Sequence, residues 1–137
     1  MSWRESLIKI ANHEVDTLQK RLAEIVDRRE AEQMRLVMLE AQAEAEMAHA
    51  YADPSLGFNR TAYLAGVKLR RESIQGRINA IAREETGARD ALAQAFESQK
   101  KFEHVAELAR LTRVKEAAQR ETAELDEMGR RAATRGR

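Results

Sequence analysis

Apolar residues recur along the first fifty positions at alternating steps of three and four. They are Ile8, Ala11, Val15, Leu18, Leu22 and Ile25, then Leu36, Leu39 and Ala43, and after Glu46 Ala50. That spacing is the a/d stripe of a coiled-coil helix, in which every seventh residue returns to one face. Between the two runs the register meets Arg29 and Glu32. This reads either as a shift of the stripe toward Val26, Met34 and Val37 or as a loosened middle. A second stripe starts at Val67 and passes through Ile74, Ile78, Ile81, Ala88, Leu92, Ala95, Phe102, Ala106 and Ala109. Arg71, Glu85 and Gln99 are its polar members. Beyond about residue 108 it slips to Leu108, Leu111, Ala118, Leu125 and Met128, as heptad patterns can do without ending a helix.

The punctuation agrees with two helices. Ser2 and Glu5 stand in capping-box relation at the start. The only proline, Pro54, pushes Asp53 out of helical geometry, and Gly57 offers a positive φ for a return. Asn59 or Thr61 can cap the second helix. The expectation is an all-α chain forming one unit, an antiparallel coiled-coil hairpin. Helix 1 spans about 3–52, a tip loop 53–60 and helix 2 about 61–129, with a disordered tail at 130–137. With the tip centred near residue 56, Leu36 falls opposite Ile78, Leu22 opposite Leu92 and Ile8 near Val105. Residues after about 110 then have no partner in the first arm. They leave a helical overhang of about 20 residues, roughly 30 Å long. The pairs Glu5/Lys9, Asp16/Lys20, Glu24/Arg28, Glu85/Arg89, Glu97/Lys101 and Glu116/Arg120 place acid before base at i, i+4, worth about 0.2–0.5 kcal/mol each.

Composition narrows the function. Charged residues make up 34% and aromatics 4%, so the chain can bury a seam but not a thick core. The net charge of +1 gives no general pull on nucleic acid or membrane. Residues 1–52 sum to −3 and residues 53–137 to +4. There is no cysteine, in keeping with a reducing compartment. No apolar run approaches the roughly 18 residues of a membrane span, and Glu5 interrupts any signal-like start. Together these indicate a cytoplasmic protein. His13, His49 and His104 are too scattered to form a metal set alone. A two-helix hairpin offers no concave pocket for paired carboxylates. Neither an enzyme nor a cofactor is expected. Gly66, Gly76 and Gly87 lie off the stripe and mark either drift or a face that a partner approaches. Tyr51, Leu56, Phe58, Tyr63 and Leu64 gather near the tip, as a hairpin cap or as a recognition surface. Lys68, Arg70 and Arg71 adjoin them. Arg130, Arg131, Arg135 and Arg137 are weak grounds for nucleic-acid binding.

Several stretches, taken in order, resemble the FliJ family of flagellar type III export proteins, its alphaproteobacterial members above all. Ser6-Leu7-Ile8-Lys9-Ile10 and Glu14-Val15-Asp16 look like its start. Asp53-Pro54, Phe58, Tyr63 and Arg70-Arg71-Glu72 look like its tip and return. Ala95-Phe96-Glu97 with Lys100-Lys101-Phe102-Glu103 is similar to its second-helix motif, and Glu124-Leu125-Asp126-Glu127 to its closing element. Residues Arg29 to Met34 match nothing in that pattern. The resemblance implies an antiparallel coiled coil that is the central stalk of a hexameric export ATPase. It would link the ring to an integral-membrane export gate and bind export chaperones, peripherally associated with the inner membrane at the flagellar base. The implied gate-binding residues are Leu39, Tyr63, Val67, Arg70 and Ile74. The implied ring-binding residues are Ile8, Leu108, Leu111, Leu125 and Met128. A monomer or weak homo-oligomer is expected. The stalk of a virulence injectisome and a self-associating scaffold coiled coil are the alternatives. The pairing itself is testable: in this cysteine-free chain, Leu36→Cys with Ile78→Cys is expected to cross-link on oxidation. Cross-linking only of pairs offset by a heptad would move the tip.

Overall fold

The computed structural model describes residues 2–57 and 59–136, with Leu56 described by its backbone alone. Two long helices dominate: α1, Trp3–Ala52, and α2, Arg60–Arg135. A single 3-10 turn, Pro54–Leu56, lies between them. No strand occurs among the described residues. The helices pack against each other as a helical hairpin.

Local chemistry explains each boundary. At the start of α1 the Glu5 amide donates to Ser2 Oγ, and the Ser2 amide donates back to Glu5 Oε2, both at 3.3 Å. This is the reciprocal capping box the sequence indicates. At the turn, Asp53 Oδ1 accepts from the Ser55 amide at 3.2 Å, and Gly57 adopts φ 62° and ψ 33°. A side chain at that left-handed position would be strained. Of the two candidate caps, Asn59 is the one used: its Oδ1 accepts from the Ala62 amide at 3.0 Å. Phe58 lies outside the described residues.

By contacts the chain divides into two units, residues 16–94 and residues 1–15 with 95–137. In the 16–94 unit, Leu39, Ala43, Val67, Ile74 and Ile78 form one apolar cluster, with Leu36 and Tyr63 packed on it. Ile25, Ile81 and Ala88 form another, with Leu22 on it. Cross-helix pairs run antiparallel, Arg28 to Glu84, Glu32 to Arg77 and Glu40 to Arg71. In the other unit Ala11, Val15 and Ala95 are buried, and Gln99 donates to Asn12 Oδ1 at 2.7 Å.

One expectation about register is corrected. The first stripe neither shifts nor loosens at Arg29 and Glu32. Met34 and Val37 are exposed, whereas Glu32 is 7% exposed and Arg29 half-buried. The charged residues occupy the seam because the opposite helix supplies counterions. Glu32 accepts from Arg77 Nε at 3.1 Å and also pairs with Arg35. Arg29 pairs with Glu85 at 3.2 Å, and Glu85 also meets Arg89. The slipped stripe beyond residue 108 lies on an uncovered face of α2, where Leu108, Leu111, Ala118, Leu125 and Met128 are exposed. Ala106 and Ala109 stay half-buried in the old register, and every residue from Arg110 to Gly136 is exposed.

The end of α2 also differs from the expected fraying near Gly129. The helix continues to Arg135. Glu127 pairs with Arg130 at 3.2 Å and Arg131 at 3.4 Å, and Thr134 Oγ1 donates to the Arg130 carbonyl. One glycine costs a helix only about 1 kcal/mol, which such local contacts offset. Arg137 lies outside the described residues. Of the i, i+4 pairs, Asp16/Lys20, Glu85/Arg89 and Glu97/Lys101 form. Arg28 instead crosses to Glu84, and Glu5 turns to its cap.

The seam charges carry a stability prediction. Replacing a buried charge with a packed apolar residue removes a desolvation cost, and the half-exposed partners Arg35 and Arg77 can return to water. Glu32→Leu is therefore expected to stabilise the hairpin by about 1 kcal/mol. Arg77→Ala, which leaves the carboxylate with one partner, is expected to destabilise it by about 1 kcal/mol. Denaturant melts of the two variants check this, and destabilisation by Glu32→Leu would refute it.

Candidate interaction surfaces

The described residues hold no group of three His, Cys, Asp or Glu placed to bind a metal. His13, His49 and His104 are each exposed. No helix among the described residues is long and apolar enough to cross a membrane. What the chain offers is surfaces.

The first lies toward the turn. Of the five residues implied for a gate contact, Leu39, Val67 and Ile74 are buried in the seam at 9%, 2% and 8% exposure. Heptad geometry directs them inward, so they hold the helices together and do not present a surface. Tyr63 packs on the same cluster, half-buried. A hydrogen bond to Glu46 raises its phenol pKa above the usual value, with burial adding to the rise. Arg70 alone of the five is fully on the surface. Next to it Arg71 Nε donates to Glu40 at 3.2 Å, and Leu69 is exposed.

Beside the turn, the Arg60 guanidinium lies 5.5 Å from the centre of the Tyr51 ring and donates to its hydroxyl. Met47, Ala50, Tyr51, Pro54 and Arg60 line a shallow depression there. Sequence reasoning marked the aromatic residues but not the arginine that covers one of them. The signal was an Arg nine positions after a Tyr across a tight turn. The three internal glycines serve no close approach within the chain. A Cβ built on Gly66, Gly76 or Gly87 meets nothing within 4 Å.

The second surface is the C-terminal part of α2. Of the five residues implied for a ring contact, Ile8 is half-buried. Leu108, Leu111, Leu125 and Met128 are 49–59% exposed. Val114, absent from the stripe read in the sequence, joins them at 56%. Its distance of three from Leu111 and four from Ala118 was the available signal. Arg110 donates to both carboxylate oxygens of Glu107, and this holds the Glu107 carboxyl below its usual pKa.

One cross-helix ion pair is placed to make stability depend on pH. Arg28 donates to both oxygens of Glu84, at 3.1 and 3.2 Å. The Glu84 pKa is lowered, first by that hydrogen bond. A carboxyl whose folded pKa is depressed stabilises the fold above its unfolded value, about 4.3, and that contribution fades as pH falls through the folded value. The melting midpoint is therefore expected to fall with acidification below about pH 4.5. Glu84→Gln is expected to flatten that slope, and an unchanged slope would show that the pair does not contribute.

The chain is similar to the protein called flagellar FliJ protein in Caulobacter vibrioides. It is 52% identical over 136 residues in strain NA1000 / CB15N, covering 98% of both chains. The same values hold for strain ATCC 19089 / CIP 103742 / CB 15. No family model matches the chain, and no solved structure matches it.

Proposed function

The chain belongs to the FliJ family of flagellar proteins, and from that premise we propose that it is a stalk in flagellar protein export. The reading is that the C-terminal part of α2, with the N-terminus of α1, enters a hexameric export ATPase ring. The surface near the turn meets the integral-membrane export gate. Export chaperones bind along the helices. The protein hydrolyses nothing itself and acts by linking partners, at the cytoplasmic side of the flagellar base.

One observation carries this reading. The helix α2 runs unbroken for 76 residues, and its last described stretch, 110–136, is exposed at every position while carrying a row of large apolar side chains. An exposed apolar row marks a place where a partner binds, and a ring closing around the helix would cover it. The burial of Leu39, Val67 and Ile74 moves the proposed gate contact to their exposed neighbours, with Arg70, Leu69 and the outer edge of Tyr63 at its centre. The flagellar relatives favour this system over a virulence injectisome.

Two variants separate the ends. Leu111→Asp with Leu125→Asp is expected to abolish co-purification with the export ATPase and stimulation of its turnover, with helicity kept by circular dichroism. Arg70→Glu is expected to weaken gate binding about tenfold while leaving ATPase stimulation intact. A deletion strain that exports flagellar proteins at the normal rate would overturn the reading.

A further inference from the structure

The exposed part of α2 is not only apolar; it is arranged so that it matches itself when reversed. Leu111, Val114, Ala118, Glu121, Leu125 and Met128 follow one another at steps of three, four, three, four and three. That is an unbroken heptad seam with a single charged member. It is not the seam that faces α1, whose members here are Phe102, Ala106 and Ala109, all half-buried. The six seam residues are all exposed.

The seam has a centre. Leu111 and Leu125 lie seven residues to either side of Ala118, and Leu108 and Met128 lie ten to either side. Several of the charges follow the same symmetry with the sign inverted. Lys115 lies three residues before Ala118 and Glu121 three after it, while Arg110 lies eight before and Asp126 eight after. None of Arg113, Lys115, Glu116, Arg120, Glu121, Glu124 and Asp126 forms an ion pair among the described residues. Even Glu116 and Arg120, spaced for an i, i+4 bridge, stay apart.

We propose that two copies of the chain associate antiparallel through this seam, with Ala118 at the two-fold axis. Reversal puts Leu111 against Leu125 of the second copy, and Leu108 against Met128 of the second copy. Lys115 of each copy then meets Glu121 of the other, and Arg110, held in the single chain by Glu107, comes to face Asp126, so each pairing occurs twice. A parallel in-register pairing instead sets Lys115 on Lys115, Glu121 on Glu121 and Arg110 on Arg110, like charges that repel. The small side chain of Ala118 lets the two helices approach at the centre. The occupant is a second copy because the reversed chain brings apolar to apolar at Leu111 with Leu125 and at Leu108 with Met128, and base to acid at Lys115 with Glu121. The pairing covers Leu108, Leu111, Leu125 and Met128, so it excludes any other protein that uses them, the proposed ATPase ring included.

The test uses the purified full chain without other proteins, so its outcome is separate from the stalk reading. Sedimentation equilibrium is expected to show a concentration-dependent monomer–dimer balance. Lys115→Glu is expected to weaken the dimer about tenfold, and Lys115→Glu with Glu121→Lys in the same chain to restore it. That rescue would not follow from a loss of folding. Because the protein has no cysteine, Ala118→Cys is expected to form a homodisulfide. An equal mixture of Leu111→Cys and Leu125→Cys chains is expected to cross-link as the mixed pair. A chain that stays monomeric at every concentration would overturn the proposal and leave the seam to another partner. Cross-linking of Leu111→Cys to itself would overturn it in favour of a parallel pair.

Discussion

The reversal between Ala52 and Arg60 sets the terms for everything else. Its position is fixed by three local devices: Asp53 closing onto Ser55, Gly57 at positive φ, and Asn59 capping α2. Where the chain turns decides which residue of α1 faces which residue of α2. It also decides how much of α2 goes without a partner, since α1 supplies 50 residues and α2 has 76. A one-residue slip would rotate every seam side chain by about 100°. Leu39 and Ile74 would then lose their cluster, and Glu32 would lose Arg77.

The charged layers at Arg29, Glu32 and Glu85 make that register harder to evade. Apolar coiled-coil layers are nearly interchangeable, so a seam of Leu, Ile and Ala alone tolerates a heptad shift. A carboxylate at 7% exposure does not, because it needs a guanidinium at one level of the opposite helix. The arrangement costs desolvation, and we take its return to be pairing specificity. The predicted gain from Glu32→Leu follows from the same reasoning: the residue is not optimal for stability.

How much of this was legible in the sequence depends on the distance between cause and effect. The capping box, the left-handed glycine and the heptad stripes were readable because each is written within a few residues. The passage through Arg29 and Glu32 was not, because charge in a stripe reads as a break unless its counterions are known, and those sit 45 to 56 residues away. Likewise Arg28 looked committed to Glu24 but finds a bidentate partner in Glu84. The candidate surfaces divide the same way. Leu108, Leu111, Leu125 and Met128 were nameable from the expected overhang. Leu39, Val67 and Ile74 were placed on a binding surface although their own spacing assigns them to the seam. Periodicity was the better guide there.

The unpaired stretch of α2 raises a question of stability that bears on function. This stretch lacks tertiary packing, from which most helical stability in proteins comes. Here the local supports are few: Glu107 with Arg110, Glu127 with Arg130 and Arg131, and threonine hydroxyls bonded back to the preceding turn, as at Thr112, Thr122 and Thr134. Surface pairs of this kind contribute about 0.3–0.5 kcal/mol each. Any partner that covers the seam of Leu111, Ala118 and Leu125 therefore adds order as well as affinity, and the ordering cost falls on the binding step. A second copy and a different protein would compete for one helix that each of them stabilises. The balance between them is then set by concentration, and the length of α2 beyond its cover by α1 becomes the feature on which both interactions depend.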